Sequence, residues 1–209
     1  MPRLIQLLIS STLMLLLAGS GLGQTKTEFS ATVIQESDGK TSQQRIFVGP
    51  NNMRIEPKGA GDQAVVILDF ARGISYVLMP VQKTYVEVAG LRDDSTRQMR
   101  FLNIIDPSNP CDAFLQPKSG NMATKIPCKQ GGSDTVNGRA AIKWIATVSE
   151  GKQAYVWVDP KLGFLLRLDA PGNKIELRDI REVAQQPELF EVPSGYSRLQ
   201  IGAAPSTNR

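Results

Sequence analysis

From Thr27 onward, apolar and polar residues alternate with a period of two far more often than with the helical period of 3.6. Phe29, Ala31 and Val33 alternate with Ser30 and Thr32, and the run ends at Asp38-Gly39, a pair suited to a tight hairpin with positive φ. A second strand over Gln44–Val48 leads to Gly49-Pro50-Asn51-Asn52, and a third over Met53–Glu56 leads to the turn Gly59-Ala60-Gly61-Asp62. Ala64–Phe70 is almost continuously apolar, as expected of a strand buried on both faces. Ile74–Leu78 and Thr84–Val88 form the next hairpin, so the whole reads as an antiparallel meander.

One segment departs from this pattern. Asp93-Asp94-Ser95 precedes Met99, Leu102 and Ile105 at a spacing of three, with Phe101 and Ile104 widening the apolar stripe, which predicts an amphipathic helix over Asp93–Asp106 ended by Pro107. Asn109–Gly132 then reads as loop. Strands resume at Asp134. Ala140, Ile142, Trp144, Ala146 and Val148 share a face, Ala154–Val158 returns, and Asp159-Pro160-Lys161-Leu162-Gly163 suits a type I turn closed by a left-handed glycine. Phe164–Leu168 and Lys174–Asp179 make a last hairpin across Ala170-Pro171-Gly172-Asn173, and Gly202–Arg209 has little to bury.

The N-terminus belongs to a different class of sequence. Arg3, the apolar run Leu4–Leu17 and the small residues Gly21 to Gly23 read as a secretory signal peptide, Met1–Gly23, with no lipid-accepting cysteine near the cleavage region. The run is too short for a spanning helix, so no transmembrane segment is expected after cleavage. The expected product is a single domain over residues 24–200 with a flexible tail over 201–209, periplasmic or secreted.

Composition narrows the chemistry. The chain has no histidine, which removes the side chain most used for proton transfer near neutral pH and for transition-metal binding. No nucleophile with a base, no phosphate loop and no cofactor motif stands out, so neither enzyme nor cofactor is expected. The formal net charge of +4 comes from dispersed lysines and arginines, without the concentrated basic face of a nucleic-acid binder. Asp159 beside Trp157 has the outline of a glycosidase carboxylate, but no partner carboxylate is identifiable and aspartate before proline is a common turn opener. The two cysteines, Cys111 and Cys128, are too far apart for a C-x-x-C pair and read as a structural disulfide in an exported chain.

A set of short motifs carries a family likeness. Met53-Arg54-Ile55-Glu56, Tyr76-Val77-Leu78-Met79-Pro80, Lys83-Thr84-Tyr85, Asn109-Pro110-Cys111 and Cys128 are followed by Thr135-Val136-Asn137-Gly138-Arg139 and Lys143-Trp144. Trp157-Val158-Asp159-Pro160-Lys161-Leu162-Gly163 and Leu189-Phe190-Glu191-Val192-Pro193-Ser194-Gly195-Tyr196 complete the series. In this order the chain resembles bacterial exported domains of unknown function in the LolA/LolB-like superfamily. The resemblance implies a mainly β fold, a curved antiparallel half-barrel sheet with one or two helices covering its concave face. It also implies shielding of a lipid, lipoprotein or apolar segment, and no catalytic residue.

On this reading the candidate ligand-lining residues are Tyr76, Leu78, Tyr85, Phe101, Leu102, Ile105, Trp144, Trp157 and Phe164. Strand aromatics also serve plain core packing, so a filled concavity is the alternative. Two functions follow. One is a non-catalytic carrier holding a lipid between sheet and helix. The other is an envelope module with a filled core that shows its disulfide-tied loop to a protein partner.

Overall fold

The computed structural model describes residues 27–59, 63–89, 110–111, 115, 126–148 and 151–200. The expected signal peptide, the helix expected over 93–106 with Phe101, Leu102 and Ile105, and the C-terminal tail lie outside the described residues. The regular secondary structure of the described residues is almost entirely strand. It forms β1 (Phe29–Ser37), β2 (Lys40–Val48), β3 (Asn52–Pro57), β4 (Val65–Asp69), β5 (Ile74–Met79) and β6 (Thr84–Ala89). Then follow β7 (Cys128–Val136), β8 (Arg139–Thr147), β9 (Gln153–Asp159), β10 (Phe164–Ala170), β11 (Asn173–Arg181) and the two-residue β12 (Ser197–Arg198). The helical element that stands out is a 3-10 turn, Pro187–Phe190.

All twelve strands join one open, curved sheet in the order β12-β6-β5-β4-β3-β2-β1-β11-β10-β9-β8-β7. The first six strands meander outward from β1. The next five meander back until β11 pairs antiparallel with the free edge of β1, which makes the first strand the centre of the sheet. Turn chemistry sets the hairpins where expected: Asp38-Gly39 has φ of 50° and 74°, and Asn137-Gly138 has 50° and 77°, the left-handed pair that matches strand twist. Gly163 closes the Asp159 turn at φ 60°.

One boundary differs from the sequence reading. Residues 128–132, expected as loop, belong to β7 and pair with β8 from Ala146 to Lys143. Their polar and glycine-rich composition reflects an edge position. Lys129 to Thr135 are exposed, and a bulge falls between Gln130 and Gly132. Edge strands are commonly blunted by lysine and bulges in this way.

The sheet buries apolar residues on both sides. The larger core lies on what we term the main face and contains Phe29, Ile46, Met53, Leu68, Val156, Leu168 and Leu177. Two smaller clusters occupy the back face. Phe47, Val65, Ile67, Tyr76, Leu78 and Phe190 form one, and Val136, Ala141, Trp157 and Leu166 the other. β4 contributes to both sides, as its continuous apolar run implied: Ile67 and Leu68 are both fully buried, on opposite faces.

Candidate apolar binding face

Cross-strand register aligns the main face into rows. One row runs Phe29, Val48, Met53, Leu68, Ser75 and Val88 across β1 to β6. The next runs Ala31, Ile46, Ile55, Val66, Val77 and Val86, six apolar residues without a polar interruption. Burial along this second row falls outward from the centre. Ala31 and Ile46 are buried, whereas Ile55, Val66, Val77 and Val86 are each half-buried. Branched aliphatic side chains on adjacent strands pack well on a pleated surface, and together they present a continuous apolar strip.

Three described residues between β6 and β7 pack on this same face. Cys111, 0% exposed, together with Leu115 and Ile126, packs into the main core. Leu115 donates its backbone N–H to the Cys111 carbonyl at 2.8 Å, one helical turn. Cys111 and Cys128 are joined in a disulfide with Cα atoms 5.9 Å apart, which ties the connection to the edge strand β7. Phe29 meets Phe164 edge-on in the same core, with ring centroids 5.2 Å apart. Ser75, fully buried, satisfies its hydroxyl by donating to the Val88 carbonyl at 3.4 Å.

The structure divides the candidate ligand-lining residues between the two faces. Trp144 and Phe164 stand with the main core. Tyr76, Leu78 and Tyr85 lie on the back face, under a strap made by residues 186–199. Tyr76 and Tyr85 pack edge-on at 6.1 Å, and Leu189, Phe190, Val192 and Tyr196 of the strap close over them. The strap is pinned where Arg54 donates to the Leu189 carbonyl at 3.1 Å, and where Ser197 and Leu199 donate to the carbonyls of Lys83 and Tyr85.

Trp157 is also on the back face, and it is covered by cations rather than by chain. The Lys143 ammonium lies 5.2 Å and the Arg167 guanidinium 5.1 Å from its ring centroid, and Lys143 also reaches Tyr155 at 4.6 Å. The indole N–H donates to Asp134 at 2.8 Å, and this bond, with one from the Thr135 backbone, holds the Asp134 carboxyl below its usual range.

Asp159 is 2% exposed and spends its carboxylate on structure. It accepts the backbone N–H groups of Lys161 and Leu162 and an ion pair from Arg139 Nε at 2.6 Å, and Arg139 continues to Glu182 at 2.8 Å. This is the turn-opening role that aspartate before proline implied. Among the described residues no group of three or more carboxylate or cysteine side chains is placed to hold a metal ion.

Sequence reading missed Ile55, Val66, Val77 and Val86. The period-two alternation in each strand was visible, but which alternate set faces the main core depends on register and on what covers each side. In β5 the large aromatic and leucine positions went to the back face, and Ser75 and Val77 to the main one.

No family model matches the chain, and no curated protein does. Solved structures do match. An uncharacterized conserved protein from Thermus thermophilus aligns over 83% of this chain and 90% of its own, at 12% identity and a TM-score of 0.51. MucB aligns over 81% of this chain at 15% identity and a TM-score of 0.52, and the alignment spans 58% of MucB. A LolA superfamily protein from Nitrosomonas europaea matches at 8% identity and a TM-score of 0.35, over 79% of this chain and 90% of that one. At these identities the likeness to the Thermus protein and to MucB is one of fold, a shared architecture of open antiparallel sheet.

Proposed function

We propose that this chain is an exported, non-catalytic binding protein that shields a lipid chain or another apolar segment on the main face of its sheet. The observation that carries this reading is the uninterrupted apolar row from Ala31 to Val86, whose outer four members are only half-buried. An acyl chain laid along such a strip gains about 0.8 kcal/mol for each methylene removed from water. The disulfide supports an oxidising compartment.

A second reading, an envelope module that binds a protein partner, draws support from the centre of the same face. Phe29, Met53 and Leu68 are at most 1% exposed and leave no room there for a guest. The two readings part at the outer row. Native mass spectrometry of protein taken from its own periplasm, with fluorescent fatty-acid titration of the purified oxidised protein, separates them. In the carrier reading wild type retains or takes up an acyl chain, and Val77→Ser with Val86→Ser weakens uptake at least tenfold while the protein stays folded. Uptake by neither sample, or equal uptake by both, would sink the carrier and leave the interaction module.

A further inference from the structure

The back face has a polar cleft that neither apolar reading uses. Between β1 and β11 the register shifts: Ser30 faces Arg181, but Thr32 faces Arg178, so a two-residue step on one strand meets a three-residue step on the other. Asp179, inside the longer step, takes the left-handed φ of 53°. Such a bulge bends its strand and parts the side chains on either side. Here it leaves a cleft of about 410 Å³ between the two apolar clusters of the back face.

Three cations line it from three different places in the sheet: Arg45 on β2, Lys58 just beyond β3, and Arg181 at the end of β11. None of the three enters an ion pair among the described residues. Their neighbours on this face do: Arg54 holds Glu56 at 2.6 Å, Arg139 holds Asp159 and Glu182, and Arg178 holds Glu176 at 2.6 Å. Glu56 also lines the cleft, but Arg54 offsets its charge. Three cations against Asp179 and this Arg54-paired Glu56 leave the lining with a net positive charge. Arg45 is held in place by stacking over Phe47 at 4.8 Å. Ser30 and Thr32 supply hydroxyls at the floor.

We propose that this cleft is a binding site for a phosphate group. Three cationic side chains, two of them guanidinium forks, together with two hydroxyls match the several oxygens of a phosphate better than the two of a carboxylate. A soluble phosphate ester and a phospholipid headgroup share this chemistry.

The test uses the full oxidised protein, titrated calorimetrically with inorganic phosphate and with glycerol phosphate, and sedimented with vesicles of phosphatidylglycerol in phosphatidylcholine or of phosphatidylcholine alone. Phosphate binding is expected to weaken about tenfold on Lys58→Gln or Arg181→Gln, each of which removes one charge-assisted contact from an exposed position. Asp179→Asn is expected to strengthen it severalfold. Asparagine tolerates the left-handed backbone, and a gain cannot come from misfolding. Lys129→Gln, on the far edge strand, should leave binding unchanged. Charge-dependent sedimentation with the anionic vesicles identifies a headgroup, and ester binding without sedimentation identifies a soluble ligand. Either supports the site. Absence of binding by wild type to phosphate, ester and vesicles, or affinities indifferent to both Arg181→Gln and Asp179→Asn, would overturn it. The main-face variants Val77→Ser and Val86→Ser should not alter phosphate binding, so this proposal and the carrier reading fail separately.

Discussion

Gly49 provides a sharp test of the strap that closes the back face. It follows β2, donates its N–H to the Asn52 carbonyl at 2.9 Å, and has a φ outside the left-handed region, so its backbone accepts alanine without strain. A Cβ there would stand 2.9 Å from Phe190 Cε2 and 3.1 Å from Cζ, closer than carbon atoms tolerate, with Asn52 Oδ1 at 3.3 Å. Phe190 is 8% exposed and anchors the strap, so its ring can yield only by leaving its seat. Overpacking of this kind costs about 1–3 kcal/mol. The lower chain entropy of alanine in the unfolded state returns about 0.4–1 kcal/mol. Gly49→Ala should therefore destabilise by about 1 kcal/mol in wild type. Phe190→Ala alone should cost about 3 kcal/mol, near the low end for a buried phenylalanine because a surface strap can settle into the space. In that background Gly49→Ala should be neutral or slightly stabilising, giving a coupling of about 1–2 kcal/mol. Urea unfolding of the four oxidised proteins, followed by far-ultraviolet circular dichroism and tryptophan fluorescence, measures the cycle. Equal losses for Gly49→Ala in both backgrounds would show that Phe190 does not occupy the seat described.

Two further predictions concern the disulfide and Asp134. Reduction, or Cys111→Ser with Cys128→Ser, should lower stability by about 3 kcal/mol for a cross-link of sequence separation 17; two alkylatable thiols in protein isolated without reductant would contradict the bond itself. The carboxyl of Asp134 is held below its ordinary value of 3.8, chiefly by the Trp157 indole, so its contribution is present above that value and is lost as the pH falls through the lower, folded one. Tryptophan emission should therefore change with a midpoint below 3.8, and Asp134→Asn should abolish that transition; an unchanged titration in the variant would assign it elsewhere.

Local rules made much of the fold legible. Period-two alternation located most of the strands, and Asp38-Gly39, Asn137-Gly138 and Gly163 set their turns, because a left-handed backbone needs residues that tolerate it. Two cysteines without a competitor also left one possible intramolecular disulfide. The face taken by each alternate set was not local information. Tyr76, Leu78 and Tyr85 looked like cavity lining because they are large and apolar on strands, yet register turned them toward a strap from the far end of the sequence. Polar residues 128–132 looked like loop because an edge strand needs no apolar alternation. The polar cleft beside the β1–β11 bulge gathers Arg45, Lys58 and Arg181 from segments with no common motif. Strand propensity and turn chemistry act over a few residues and are written in the sequence. Register, cover and the meeting of distant charges arise only when β11 closes against β1, because they depend on which distant surfaces are buried together.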